Sequence, residues 1–261
     1  MTRSASLILI ILLAFSFAAA KTVTKSQFEN QVFELTNQER AKHGLQPLIK
    51  EDGLAALARR HGEDMARYNY FRHEDREGMT VGGRQKKYYK ELTVLTIGEN
   101  LAYFENSERV FSAAKIVRGW MNSPGHRANI LSGEYTHLGL AVALTGDKLY
   151  VVQNFCCPVV KLCSKLPSYF KQNYSYELMF EYLNWQNANS LEAFLVLPNP
   201  KTKVPIGNRH YMEGVLPLTV TWDRGSRLKV KLPFSYGKGR YKLAFGWGNG
   251  FYESDYSFTV R

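Results

Sequence analysis

The sequence predicts an α+β protein: a first half of helices and a β-hairpin, then a smaller all-β, sandwich-like part. Three observations carry this reading. Helix-start signals followed by apolar residues at helical spacing recur up to residue 122. The runs "HLGLAVAL" and "KLYVVQNF" flank "TGD", the pattern of a hairpin. Beyond residue 163, aromatic and β-branched residues alternate with polar ones between turn signals such as "LPNPKT", "WDRGS" and "WGNG". Short strands at that spacing suit a sandwich.

The chain opens "MTRSASLILIILLAFSFAAAKT", with Arg3 before an apolar run from Leu7 to Phe17 and small residues Ala18 to Ala20. This predicts a signal peptide over 1–20, cleaved near Ala20-Lys21, and a secreted protein, extracellular or periplasmic. The run is short for a bilayer and no later stretch of about 18 apolar residues occurs, so no transmembrane anchor is expected. Ser26 and Glu29 form a capping-box pair, followed by Phe28, Val32 and Leu35 until Gly44 stops the helix. His43, just before that stop, reads as a C-terminal cap. A second helix opens at Glu51 or Asp52, with a buried stripe of Leu54, Leu57, Ala58, His61, Met65 and Tyr68; His61 is therefore a core histidine. A third starts near Asn106 or Ser107 and carries Val110, Ala114, Val117 and Met121 on one face. In "SPGHRANIL", Ser123 is a favoured N-cap and Pro124 suits the first helical position, so His126 falls in the opening turn of a short helix. The dipole there favours a neutral imidazole, able to accept a proton or bind a metal.

The 45% apolar content supports a packed core and argues against disorder. The net charge of +11 is unevenly spread: residues 21–163 hold 20 basic and 16 acidic side chains, residues 164–261 hold 13 and 7. The expected division is one domain over 21–160 and a basic β-rich accessory domain over 165–261. Export permits a disulfide between Cys163 and either Cys156 or Cys157, with one thiol left over; the three together match no common zinc spacing.

Three motifs lie in one register: "YFRH" at 70–73, "GENLA" at 98–102 and "WMNSPGHRANIL" at 120–131, followed by "LGLAVA" and "YVVQNF". Over residues 28–156 this order resembles the SCP/CAP superfamily, in its bacterial-style branch. The resemblance implies an α-β-α sandwich with a shallow open cleft holding two histidines and two glutamates. His73 matches the first histidine, Glu99 the first glutamate and His126 the second histidine. The fourth position, three residues after Trp120, is Ser123, so one anionic ligand is missing. The family further implies lipid or sterol binding and defence or host-interaction roles.

Two imidazoles and one carboxylate could hold zinc or another divalent cation, though no cofactor is certain with the fourth ligand gone. They equally suit a polar network in which Glu99 orients a histidine. Ser123, His126 and Glu99 contain the residue types of a hydrolytic triad, but Ser123 is better explained as a cap and lies in no nucleophile elbow. Trp120 reads as a core anchor, Asn100 as a structural hydrogen-bonding residue, and His137 as a strand-start histidine that could face the cleft.

"RLKVKL" at 227–232 alternates strictly, with Leu228, Val230 and Leu232 towards a core and Arg227, Lys229 and Lys231 outward as a basic surface. For an exported chain the expected partners are a lipid or a cell-surface or wall polymer, and not nucleic acid; a solvated strand protecting an edge is the plainer alternative. The reading is non-catalytic binding of a ligand or partner in the His/Glu cleft. Its alternatives are a metal-assisted extracellular hydrolase and a structural surface protein with an idle cleft.

Overall fold

The structure is a computed structural model describing residues 24–261, apart from 208, 209 and 249. The expected signal peptide and its cleavage site lie outside the described residues. Among those described, no helix is long and apolar enough to cross a membrane.

Helix α1 (Lys25–Lys42) is followed by the short strand β1 (Ile49–Lys50), α2 (Asp52–Tyr68), α3 (Val81–Tyr88) and the long strand β2 (Leu92–Glu105). Then come α4 (Ala113–Asn122), α5 (Pro124–Ile130) and the hairpin β3 (His137–Thr145) and β4 (Lys148–Leu162). The two-residue loop between them begins with Gly146 at φ 58°, the left-handed geometry that such a turn needs. Strands β3 and β4 are covered on both faces, which is why they read as continuous apolar runs. Leu138, Leu140, Val142, Leu149, Val151 and Phe155 pack beneath α1, α4 and α5. Ala141, Ala143, Tyr150 and Val152 pack against Ala58 and Met65 of α2. This is an α-β-α sandwich. Gly139 is required by it, because a Cβ there would overlap the backbone of Leu54 and Ala55 in α2.

The rest of the chain is all-β. Strands β5 (Ser175–Tyr182), β11 (Arg227–Pro233) and β10 (Val220–Trp222) extend the first sheet. Strands β13 (Gly250–Val260), β12 (Gly239–Trp247), β6 (Leu191–Val196) and β9 (Val215–Leu218) form a second sheet in that order. β7 (Lys203–Pro205) and β8 (Tyr211–Glu213) make a small ribbon. Phe180, Leu228 and Val230 of one sheet share a core with Leu195, Tyr241, Phe245 and Phe258 of the other, so the sheets face each other as a sandwich.

The two halves are joined within one sheet. β2 pairs with β4 from Lys148 to Lys161, while β3 and then β5 occupy its other edge. Val159, Val160 and Leu162 at the end of β4 already belong to the sandwich core. The Tyr256 hydroxyl of β13 donates to the Glu91 carbonyl (2.6 Å) and accepts from the Leu162 amide (3.2 Å).

Several expectations need correction. The capping box is Thr24 with Gln27, two residues earlier than the Ser26–Glu29 pair. Tyr68, at the end of α2, is 47% exposed and not part of the buried stripe. α4 begins at Ala113, capped by Ser112, and buries Ala113, Ile116, Val117 and Trp120. Val110 and Ala114 are exposed, so the predicted face was set by a residue outside the helix. α3, with its Gly and Lys content, was not anticipated at all.

All three cysteines are free thiols, Cys156 and Cys157 buried and Cys163 exposed. Cys156 and Cys157 lie on β4 and Cys163 directly follows it. An extended chain rises about 3.3 Å per residue, which holds Cys163 beyond the reach of a disulfide to either neighbour. The basic strand forms as expected, with Leu228, Val230 and Leu232 fully buried. However, β11 lies inside its sheet between β5 and β10, and its outward face is not purely cationic. Arg227 stands opposite Glu181, Lys231 opposite Glu177, and Lys229 pairs with Glu177 at 3.6 Å. The row of Arg227, Lys229 and Lys231 is thus a mixed-charge face, and neither a bare basic surface nor an edge.

Candidate functional site

Glu99 and Asn100 are neighbours on β2, so their side chains leave opposite faces of the sheet. Their partners on β4 are Asn154 and Gln153. Glu99 points to the α2 side and is almost wholly buried, its side chain 2% exposed. Burying a carboxylate demands compensation, and two cation-capable groups supply it. Oε1 lies 2.9 Å from Nδ1 of His73, and Oε2 accepts from the Arg84 guanidinium at 2.5 Å. With its amide oriented to donate, Asn154 adds a third contact at 3.2 Å to Oε2.

Arg84 comes from α3, and its own side chain is 1% exposed. It also donates to the carbonyls of His73 (2.7 Å) and Met79 (2.8 Å), fixing the loop that carries His73. Asp75 tightens the same loop by accepting from the amides of Glu77 and Met79, both at 2.9 Å. His73 itself stays open to solvent, with 53% of its side chain exposed. The bond to Glu99 raises its pKa above the ordinary histidine value, against the opposing effect of partial burial.

His126 reaches this edge from the other layer. The Asn100 side chain donates to the His126 carbonyl (3.1 Å) and accepts from Asn129 (2.9 Å), and Asn129 also donates to the Glu99 carbonyl (3.2 Å). These bonds lash α5 to β2. Gly98 of "GENLA" permits the approach, because a Cβ there would collide with the Tyr135 ring and crowd Asn129. Asn100 accordingly does more than shape a turn: it lies within a strand and seats the helix that bears His126. The imidazole of His126 is held below the usual pKa by burial first and by His73 second. The expected neutral form follows, although the physical cause differs from the helix dipole.

Ser123 occupies the N-cap position of α5, but its side chain makes no capping hydrogen bond. Only its backbone carbonyl serves, accepting from the Arg127 amide at 2.8 Å. The expectation that Ser123 Oγ is occupied by backbone amides is therefore corrected; with Pro124 fixing the first helical φ, the turn forms without it.

The set does not fit a divalent cation as arranged. Both Glu99 oxygens are engaged, one by an arginine that would repel a metal ion. Among the described residues, no group of three or more His, Cys, Asp or Glu side chains is placed to hold one. His73, Glu99 and Arg84 thus form a histidine–carboxylate–guanidinium chain at the edge of the sheet, with His126 near enough for its imidazole to feel the His73 charge.

The other three histidines of the layered half are accounted for. His61 is buried, its Nε2 3.0 Å from the Arg72 carbonyl, and burial followed by the Arg84 charge lowers its pKa. His43 caps α1 through Nδ1 at 2.8 Å from the Glu39 carbonyl. His137 does not face the cleft: it is buried, 2.9 Å from Thr136 Oγ1, near Glu51. Glu51 caps α2 through the Leu54 amide (2.7 Å), while its other oxygen meets Tyr89 (2.5 Å) and Lys161 (2.9 Å). Trp120 is a core anchor, its Nε1 donating to the Leu101 carbonyl at 2.9 Å. Arg84, Asn129 and Asn154 are the residues that sequence reasoning passed over. Asn129 and Asn154 lie inside the quoted motifs; Arg84 sits in an unremarkable polar run.

Together the three layers and the edge cluster give residues 33–155 the make-up of a layered α-β-α unit. That segment matches the model of the cysteine-rich secretory protein (CAP) family. Two proteins of Bacillus subtilis (strain 168), both described as uncharacterized, are similar: the membrane protein YlbC, 37% identical over 49% of this chain and 34% of its own length, and YkwD, 36% identical over 47% of this chain and 45% of its own. The chain therefore matches less than half the length of either relative. Among solved structures, an extracellular SCP-domain protein from Bacillus anthracis str. Ames is 31% identical over 51% of this chain and 41% of that one, with a TM-score of 0.43.

Proposed function

We propose that the protein is exported and uses the His73–Glu99–His126 cluster to bind an extracellular ligand or partner without turning it over. The observation that supports this is the closed state of Glu99: a carboxylate held between His73 and Arg84 is a fixed dipole and a poor general base. His73, half exposed and biased towards its charged form, offers a hydrogen-bond donor to an incoming acceptor. His126, biased towards neutral, offers an acceptor or an apolar ring edge. A lipid headgroup or a cell-surface polymer fits such a donor–acceptor pair.

The test is to purify the whole chain and its His73→Ala, His126→Ala variant from the producing cells, then analyse the extracted small molecules by mass spectrometry. A molecule carried by the wild type and missing from the variant is the expected result. Hydrolysis of a peptide or wall-polymer library that disappears with Glu99→Gln would overturn the non-catalytic reading.

A further inference from the structure

A second concavity, of about 780 Å³, lies between α2, residues 75–77 and α3, and contains none of His73, Glu99 and His126. Five arginines line it, at 59, 60, 67, 76 and 84, together with Glu63, Asp64, Asp75 and Glu77. The charges on the two sides are not matched to one another. Glu63 pairs with Lys25 (3.7 Å), Asp64 accepts from the Tyr70 hydroxyl (2.6 Å), Asp75 holds backbone amides and Glu77 binds Lys87. Arg59 pairs with Glu29 at 3.3 Å and Arg84 with Glu99. Among the described residues, Arg60, Arg67 and Arg76 have no carboxylate within ion-pair distance.

Two of these three are nevertheless held in place. The Arg60 guanidinium lies 3.8 Å from the centre of the Tyr88 ring, and that of Arg76 lies 3.6 Å from Tyr68. A guanidinium stacked on an aromatic face has its plane fixed and its N–H edge free, the arrangement that grips phosphate through two parallel bonds.

The geometry points to this groove as a binding site for a polyol or sugar phosphate, which we propose as its ligand class. The phosphate would be taken by the free guanidiniums, and the hydroxyls would donate to the neighbouring carboxylates, each of which retains open acceptor positions. Arg60 and Arg67 are two turns apart on α2, about 10.5 Å along its axis, so an extended ligand suits the groove better than a lone ion. The carboxylates disfavour a densely charged polyanion. This inference does not depend on the reading of the His/Glu cluster.

The experiment is calorimetric or NMR titration of the whole chain with inorganic phosphate, sn-glycerol 3-phosphate and glycerol, alongside co-sedimentation with phosphatidylglycerol vesicles. Glycerol 3-phosphate should bind more tightly than phosphate, glycerol should not bind, and the affinity should fall with salt. The Arg60→Gln, Arg76→Gln variant should weaken binding about tenfold or more. Arg67→Gln, at an exposed position with no carboxylate partner among the described residues, repeats the test should the double variant unfold. Vesicle binding lost in the same variants would identify a lipid headgroup as the source; glycerol 3-phosphate binding without vesicle binding would identify a soluble or polymer-borne phosphate. No binding by the wild type, or equal binding by folded variants, would overturn the proposal.

Discussion

The two halves of the molecule bury different things. The layered half hides Arg40, Glu51, His61, Asp75, Arg84, Glu99, Asn100, His137, Gln153 and Asn154. Among the described residues of the sandwich, the buried polar side chains are Asn184 and Ser254, and aromatic rings fill the rest. Phe170, Phe234, Tyr241 and Phe258 touch one another with centroids 4.9 to 5.9 Å apart. Taking an ion out of water costs several kcal/mol, which a partner offsets only in part, so a chain that does so repeatedly gains something other than stability. The lesson is that the first half is organised around a buried polar network and the second around an aromatic core, even though both hang on one strand.

The strongest way to break that comparison is to cut it. A fragment of residues 164–261 lacks Val159, Val160 and Leu162, which sit in the sandwich core, and should not fold cooperatively. A sigmoidal thermal melt of the fragment, followed by far-ultraviolet circular dichroism, would show that the sandwich is independent after all.

A smaller effect separates buried charge from buried rings. Arg84→Leu leaves Glu99 buried without its main partner and should cost about 3–5 kcal/mol in urea unfolding. Adding Glu99→Leu should recover most of that loss, since a pair replaced together is nearly neutral. Phe180→Ala in the sandwich should cost about 3–5 kcal/mol as well. No second truncation would restore it, because a cavity has no charge to remove. Equal behaviour of the two sites would erase the distinction.

The smallest expected effect is on pH dependence. His61 is neutral when folded, because burial and Arg84 lower its pKa, and becomes charged when unfolded below about 6.5. Stability should therefore fall as the pH drops through that value. His73 has the opposite sign: its raised pKa adds stability below about 6.5 that is lost as the pH rises through the folded value. Being half exposed, it contributes less than His61. The wild type should lose stability between pH 7.5 and 5.5, and His61→Gln should flatten or reverse that slope. NMR titration should place His73 above and His126 below the ordinary value, and Glu99→Gln should bring His73 back down.

The sequence made some of this legible. His73, Glu99 and His126 were found because their motifs kept one order, and the hairpin because Gly146 marks its turn. Arg84 was invisible. A buried arginine breaks the apolar periodicity by which helices are recognised, and α3, with sequence "VGGRQKKY", has almost no apolar stripe. The phase error in α4 arose because Val110 looks like a core residue yet precedes the helix. Thr24–Gln27 and Ser26–Glu29 both satisfy the capping-box spacing, but the Glu29 carboxylate is taken by the Val142 amide and Arg59, and the cap forms at Thr24. The charge of "RLKVKL" was read along one strand, whereas Glu177 and Glu181 arrive from another.

The continuous strand β4 also gives the molecule a direct path along which a pull would travel. If the sandwich is attached to a surface and the layered half is pulled by whatever it holds, the tension runs lengthwise through residues 148–162. The ladder to β2 would then be loaded in shear, its many bonds resisting together and not peeling one by one. Asn154 and Gln153, the rungs opposite Glu99 and Asn100, lie on that load path. Traction on the sandwich would reach Glu99 and Asn100 as strain in the strand paired with theirs.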